Sequence, residues 1–172
     1  MSQISRIRYR IDQFRRALRP LPDAVPIDTL RTHLNPAQLT LFLRMQPSER
    51  AHAFSVFERL KEGGYKQPEL LVAALLHDVG KILYPLSVWE RVVIVLGYKL
   101  FPRLARRWGE GTPRGFRRPF AVAAQHPFWG ADLVEKTGAT QNTIALIRHH
   151  QDKNEQPELP LLSALQGVDD SN

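Results

Sequence analysis

The dipeptide His77-Asp78, closing the apolar run LLVAALL, is the sharpest chemical feature of the 172-residue sequence. A carboxylate at the end of a fully apolar helix is costly to bury unless a cation compensates it, and a bound metal ion does that. Of the other histidines, His52, His126, His149 and His150 fall at helix ends or in apolar helical stretches, whereas His33 reads as a loop residue. There is no cysteine, so any metal must be held by imidazole and carboxylate. The dipeptide alone also fits a satisfied core histidine beside a capping or ion-paired aspartate. The order His52, His77-Asp78, His126, His149-His150, Asp169 favours the metal.

The scaffold that must position these residues reads as all α, because apolar residues recur three and four apart and no stretch alternates as a half-buried strand does. A basic helix over residues 4–18 ends at Pro20 and Pro22, and residues 1–26 form a helix and linker packing on a domain of 27–172. Short helices follow at 28–33 and 36–45. Ser48 reads as the N-cap of a helix carrying His52, closed by Gly63-Gly64. The His-Asp helix has Pro68 in its first turn and Gly80 as its stop; Ala73 and Ala74, one turn before the pair, leave room for other ligands. A basic amphipathic section, about 89–118, breaks at Pro102. Helices are expected at 119–125, at 128–136 with Gly138 as stop, at 141–150 behind Thr140, and at 159–166 before Asp169 and Asp170.

With 43% hydrophobic and 24% charged residues the composition is that of a globular chain with a packed core, and disorder is excluded. The formal charge of +7 favours anionic partners: nucleotides, nucleic acid or acidic lipid. The N-terminus lacks the apolar core of a secretory signal, and no apolar run approaches the roughly 20 residues of a membrane span, so a cytoplasmic protein is expected. Within the section 89–118, residues 89–108 fit a lid over a polyphosphate, a membrane-surface helix, or a packed helix with snorkelling arginines, and 109–115 reads as a loop. Arg114, Arg117 and Arg118, shortly before His126, are candidates for contacting an anionic substrate.

In this order the segments AHAFSVFERL around His52, LLVAALLHDVGK, HPFWGADLVEK, IALIRHHQ and LLSALQGVDDSN resemble the HD-domain superfamily of metal-dependent phosphohydrolases, over roughly residues 48–172. The resemblance implies a compact helical bundle with core metal ligands at His52, His77, Asp78 and Asp169, Asp78 bridging two ions. It implies second-site ligands at His126 and at His149 or His150, or both; His150 shares the inward face of Leu146 and Ile147 and is preferred. Asp170 is the alternative to Asp169. One or two divalent ions of iron, manganese, zinc, cobalt or nickel suit such ligands, and a metal-bridging hydroxide would attack a phosphoester or phosphoanhydride. Lys81 would take up developing phosphoryl charge, or simply complement a helix C-terminus. The substrate implied is a nucleotide or dinucleotide polyphosphate, as in bacterial diadenosine-tetraphosphate hydrolases. The Gly-Tyr-Pro signature of the cyclic-di-GMP phosphodiesterase branch is missing after His150. The same superfamily contains di-iron oxygenases, and a non-catalytic nucleotide- or nucleic-acid-binding module is the third alternative.

Overall fold

The computed structural model describes residues 25–152 and 156–171, so the basic helix and linker expected over 1–26 lie almost entirely outside the described residues. Within them are nine α-helices and no strand: α1 Ile27–His33, α2 Pro36–Arg44, α3 Pro47–Glu62, α4 Pro68–Leu76, α5 Val88–Leu100, α6 Pro102–Gly109, α7 Arg118–Glu135, α8 Gln141–His149 and α9 Leu162–Asp170. Two 3-10 turns, Val79–Leu83 and Gly115–Arg117, precede α5 and α7. The all-α architecture expected from the periodicity is the one found.

Helix α4 is central because it offers no polar face to water. Leu70, Leu71, Ala73, Ala74, Leu75 and Leu76 are all buried. The core around them draws Leu30 from α1, Phe42 from α2, Val56, Phe57 and Leu60 from α3, Val134 from α7, Ile144 and Ile147 from α8, and Leu165 from α9. Each large side chain so buried contributes roughly 1.5–3 kcal/mol, which fixes α4, and hence His77 and Asp78 at its end, within these six helices. The long helix α7 is the second hub, packing on α8, on α6 and on the 3-10 turn after Asp78.

Several expected boundaries shift, each for a physical reason. Gln46, not Ser48, caps α3: its backbone N–H donates to the Glu49 carboxylate at 3.2 Å, with Pro47 supplying the pre-set first helical residue. Gly80 does not stop α4, which ends at Leu76; it lies inside the 3-10 turn, where a methyl group in place of its hydrogen would sit 2.0 Å from the His126 carbonyl oxygen and 2.7 Å from the Gly130 nitrogen. The glycine is required by close approach to α7. The two helices expected on either side of Pro127 are one, because that proline is absorbed within α7. The last helix starts later than expected and continues through Asp170, so Asp169 stands in its final turn, held by the packing of α9 on α3 and α4.

Candidate metal centre

Six residues that sequence order singled out come together at the end of α4: His52 from α3, His77 and Asp78, His126 from α7, His150 after α8, and Asp169 from α9. The four imidazoles form a chain of edge-to-face contacts, His52 on His77, His77 on His150 and His150 on His126, with ring centroids 5.1 to 5.2 Å apart. Asp78 sits between two groups. The candidate ligand atoms of His52, His77 and Asp78 lie within 4.8 Å of one another, and so do those of Asp78, His126 and His150. Its Oδ2 is 3.8 Å from His77 Nε2 while its Oδ1 is 3.1 Å from His126 Nε2. One carboxylate thus faces both groups.

The three buried rings are oriented in the same way. His77 Nδ1 donates to the Ala74 carbonyl at 2.9 Å, and His150 Nδ1 to the Ile147 carbonyl at 2.7 Å, each three residues back along the chain. His126 Nδ1 donates to the carbonyls of Val122 and Ala123 at 3.0 and 3.1 Å. Pro127 has no N–H to offer the Ala123 carbonyl, so the neighbouring imidazole supplies the donor instead. With the proton held on Nδ1, each Nε2 turns inward, and those of His77, His126 and His150 are buried without a hydrogen-bond partner. The 3.1 Å contact of His126 Nε2 with Asp78 Oδ1 brings the second nitrogen of that ring up to the shared carboxylate. Left neutral, each of these unpartnered Nε2 atoms beside a buried carboxylate would cost on the order of 1–3 kcal/mol; a proton on His77 relieves one of them, and a metal cation in their midst would satisfy all three. The donor set fits a divalent transition metal.

The protonation states differ across the cluster. Burial pushes the His77 imidazole down, but Asp78 and Asp169, whose Oδ1 is 3.6 Å from His77 Nε2, outweigh it and raise its pKa to about 9. Burial, reinforced by His77 and His126, lowers that of His150 to about 3. Burial and Lys81 likewise lower His126. Against the cost of burial, Lys81, His77 and His126 hold Asp78 well below the usual carboxylate range. Asp169 is held down, despite its own burial, by His77 and by His52, whose Nε2 is 2.7 Å from its Oδ1. The His126–His150 side is thus neutral and ready to ligate, whereas His77 must first lose a proton.

The remaining candidates are placed differently. Lys81 Nζ is 2.6 Å from Asp78 Oδ2, its side chain one-fifth exposed, so it borders the cluster and reaches solvent. The His149 ring faces away to Asp152, Nδ1 to Oδ2 at 2.7 Å, and does not join the six. Asp170 is exposed. Arg118 pairs with Glu90 and donates to the Pro85 carbonyl at 2.8 Å, and Arg117 lies over the exposed Phe116 ring. Arg114 is exposed in the preceding loop.

Sequence reasoning missed one buried group. Glu49, one turn before His52 on α3, is only 3% exposed and is held by Arg91 of α5 at 3.1 Å, which also donates to Gln46 and Ser48 at 2.6 and 3.1 Å. Burial raises the Glu49 pKa, Asp78 adds to that, and Lys81 and Arg91 oppose it. The spacing Gln46-x-x-Glu49, a capping box three residues ahead of His52, was the available clue.

Comparison with known sequences agrees with this geometry. The sequence model of the HD domain matches residues 50–170, which hold all six clustered residues. No curated protein and no solved structure among those compared gives a match.

Proposed function

The chain belongs to the HD-domain family, and from that premise we propose that it is a metal-dependent phosphohydrolase acting on a phosphoester or phosphoanhydride of a nucleotide or dinucleotide polyphosphate. The supporting observation is the set of three buried, unpartnered Nε2 atoms of His77, His126 and His150 around the shared carboxylate of Asp78. His52, His77, Asp78 and Asp169 would hold one ion, and Asp78, His126 and His150 a second. Bound divalent ions supply Lewis acidity, which draws charge from a phosphoryl oxygen and makes water a nucleophile at neutral pH.

The protein groups divide the remaining work. Asp78 presents one oxygen to each half of the cluster, and the Nδ1–H bonds to backbone carbonyls keep the rings from turning. Lys81 gives the partly exposed edge a positive charge, suited to a phosphoryl group arriving from solvent. Arg118 stands eight residues before His126 on α7, about 12 Å along the helix. That separation suits Arg114, Arg117 and Arg118 to the far end of an extended polyphosphate, not to its reacting phosphorus.

Elemental analysis of freshly purified protein, then a phosphate-release screen over nucleotides and dinucleotide polyphosphates with added manganese and with oxygen excluded, tests the proposal. Bound transition metal and turnover under anaerobic manganese are expected. Absence of metal uptake, or turnover that requires iron and consumes oxygen, overturns it in favour of a binding module or an oxygenase respectively.

A further inference from the structure

The helix α5 is amphipathic in the inverted sense. Its inward arc carries Arg91, which reaches into α3, Gly97, buried against Phe120, and Tyr98, whose ring lies 6.1 Å from that of Phe120. Its outward arc carries Val88, Trp89, Val95, Leu96 and Leu100, all exposed, Trp89 to 71% and Leu100 to 60%. Phe101 and Leu104 continue this apolar surface onto α6, exposed to 56% and 45%. A helix that packs on its domain normally turns this face inward, and a contiguous exposed apolar patch marks a contact surface.

The rim of the patch is basic. Residues 88–118 hold eight of the 24 lysines and arginines of the chain against two of its 17 acidic residues. Lys99, Arg103, Arg106 and Arg107 are exposed, and none forms an ion pair with a described residue. Of the two glutamates, Glu90 is taken by Arg118. Whatever covers the patch must therefore be apolar in the middle and negative at the edge. A second copy of the chain would set one basic rim against another. Residues 1–24, with six arginines and two aspartates, carry the same sign. Among the described residues no single helix is long and apolar enough to cross a membrane, and the one bent pair that passes by composition consists of α4 with its following turn and α5, of which α4 is the buried core.

We propose that α5 and α6 form a peripheral docking face for an anionic lipid bilayer, Trp89, Leu96, Leu100, Phe101 and Leu104 entering the headgroup region while Lys99, Arg103, Arg106 and Arg107 meet lipid phosphates. Apolar insertion and basic attraction act together in such contacts, and each lysine or arginine at the surface is worth about a fivefold change in affinity. The face is separate from the histidine cluster, so the proposal does not depend on the metal chemistry.

Co-sedimentation of the full chain with vesicles of phosphatidylcholine, and with an equimolar mixture of phosphatidylcholine and phosphatidylglycerol, tests it. Binding to the mixed vesicles alone is expected, falling steeply with salt, with a blue shift of tryptophan emission that Trp89→Phe removes. Leu96→Asp with Leu100→Asp, and separately Arg103→Glu with Arg107→Glu, should each reduce binding at least about tenfold while leaving the far-ultraviolet dichroism unchanged. Asp78→Ala should bind vesicles as the wild type does. Failure of the wild type to bind mixed vesicles, binding that survives both paired variants, or a dimer that the leucine variants dissociate in the absence of vesicle binding overturns the proposal.

Discussion

Helices α4 and α5 look alike as strings of letters, PELLVAALL and VWERVVIVLGYKL, yet the fold uses them in opposite ways. In α4 the run from Leu70 to Leu76 is buried apart from the half-buried Val72, and just past its end His77 and Asp78 meet residues from α3, α7, α9 and the segment after α8. In α5 the polar Arg91 points inward and the apolar row faces out. Apolar content alone therefore says little about burial. What separates the two is the rest of the turn: α4 has no acidic or basic residue between Glu69 and His77, whereas α5 turns Glu90 and Arg91 towards its neighbours and leaves Lys99 among its exposed apolar residues.

Substitutions should rank according to that contrast. The largest effect is expected for Asp78→Ala, which removes the carboxylate shared by both halves of the cluster; metal content and phosphate release should fall by more than about 100-fold, and a variant that keeps both would erase the distinction between the helices. Next is Gly80→Ala, whose methyl must displace backbone of α7. A loss of about 3 kcal/mol or more is expected in denaturant unfolding of metal-free protein, and a near-neutral result would show that the turn is not pinned. Arg91→Met strands the Glu49 carboxylate, and because the arginine is partly exposed the expected cost is smaller, about 1–3 kcal/mol; the same unfolding titration measures it.

Acidity sharpens the comparison further. A metal must displace the proton that Asp78 and Asp169 hold on His77, so below about pH 9 metal binding should release a proton and affinity should fall about tenfold per pH unit from this group. Calorimetry in buffers of different ionisation enthalpy counts the protons; none released at neutral pH would contradict the raised pKa. The same proton stabilises the metal-free fold, in full below the ordinary value of 6.5 and progressively less as pH rises through about 9. Smallest is Leu96→Asp, expected to change stability in solution by no more than about 0.5 kcal/mol. A cost of several kcal/mol would mean that the outer face of α5 is core after all.

Periodicity and order revealed the helical class and the residues that meet, because both are local or ordered features of the chain. His52 and Asp169 lie 117 positions apart and were paired only by the recognisable sequence of motifs between them. The Arg91–Glu49 contact spans 42 positions with no such guide, so it was invisible until the helices were packed. Local rules failed where a tertiary contact overrode them: Gly80 looked like a helix stop and proved to be a crossing point, and Pro127 looked like a break and lies within one helix.

Pro127 also decides something about its neighbour that solvent cannot. An ordinary residue there would bring its own amide hydrogen to the carbonyl of Ala123, in competition with the imidazole of His126. Because the pyrrolidine ring can never make that bid, the covalent structure itself favours the Nδ1–H tautomer of the adjacent histidine, and in the neutral ring the nitrogen aimed at Asp78 is the one left free for a cation.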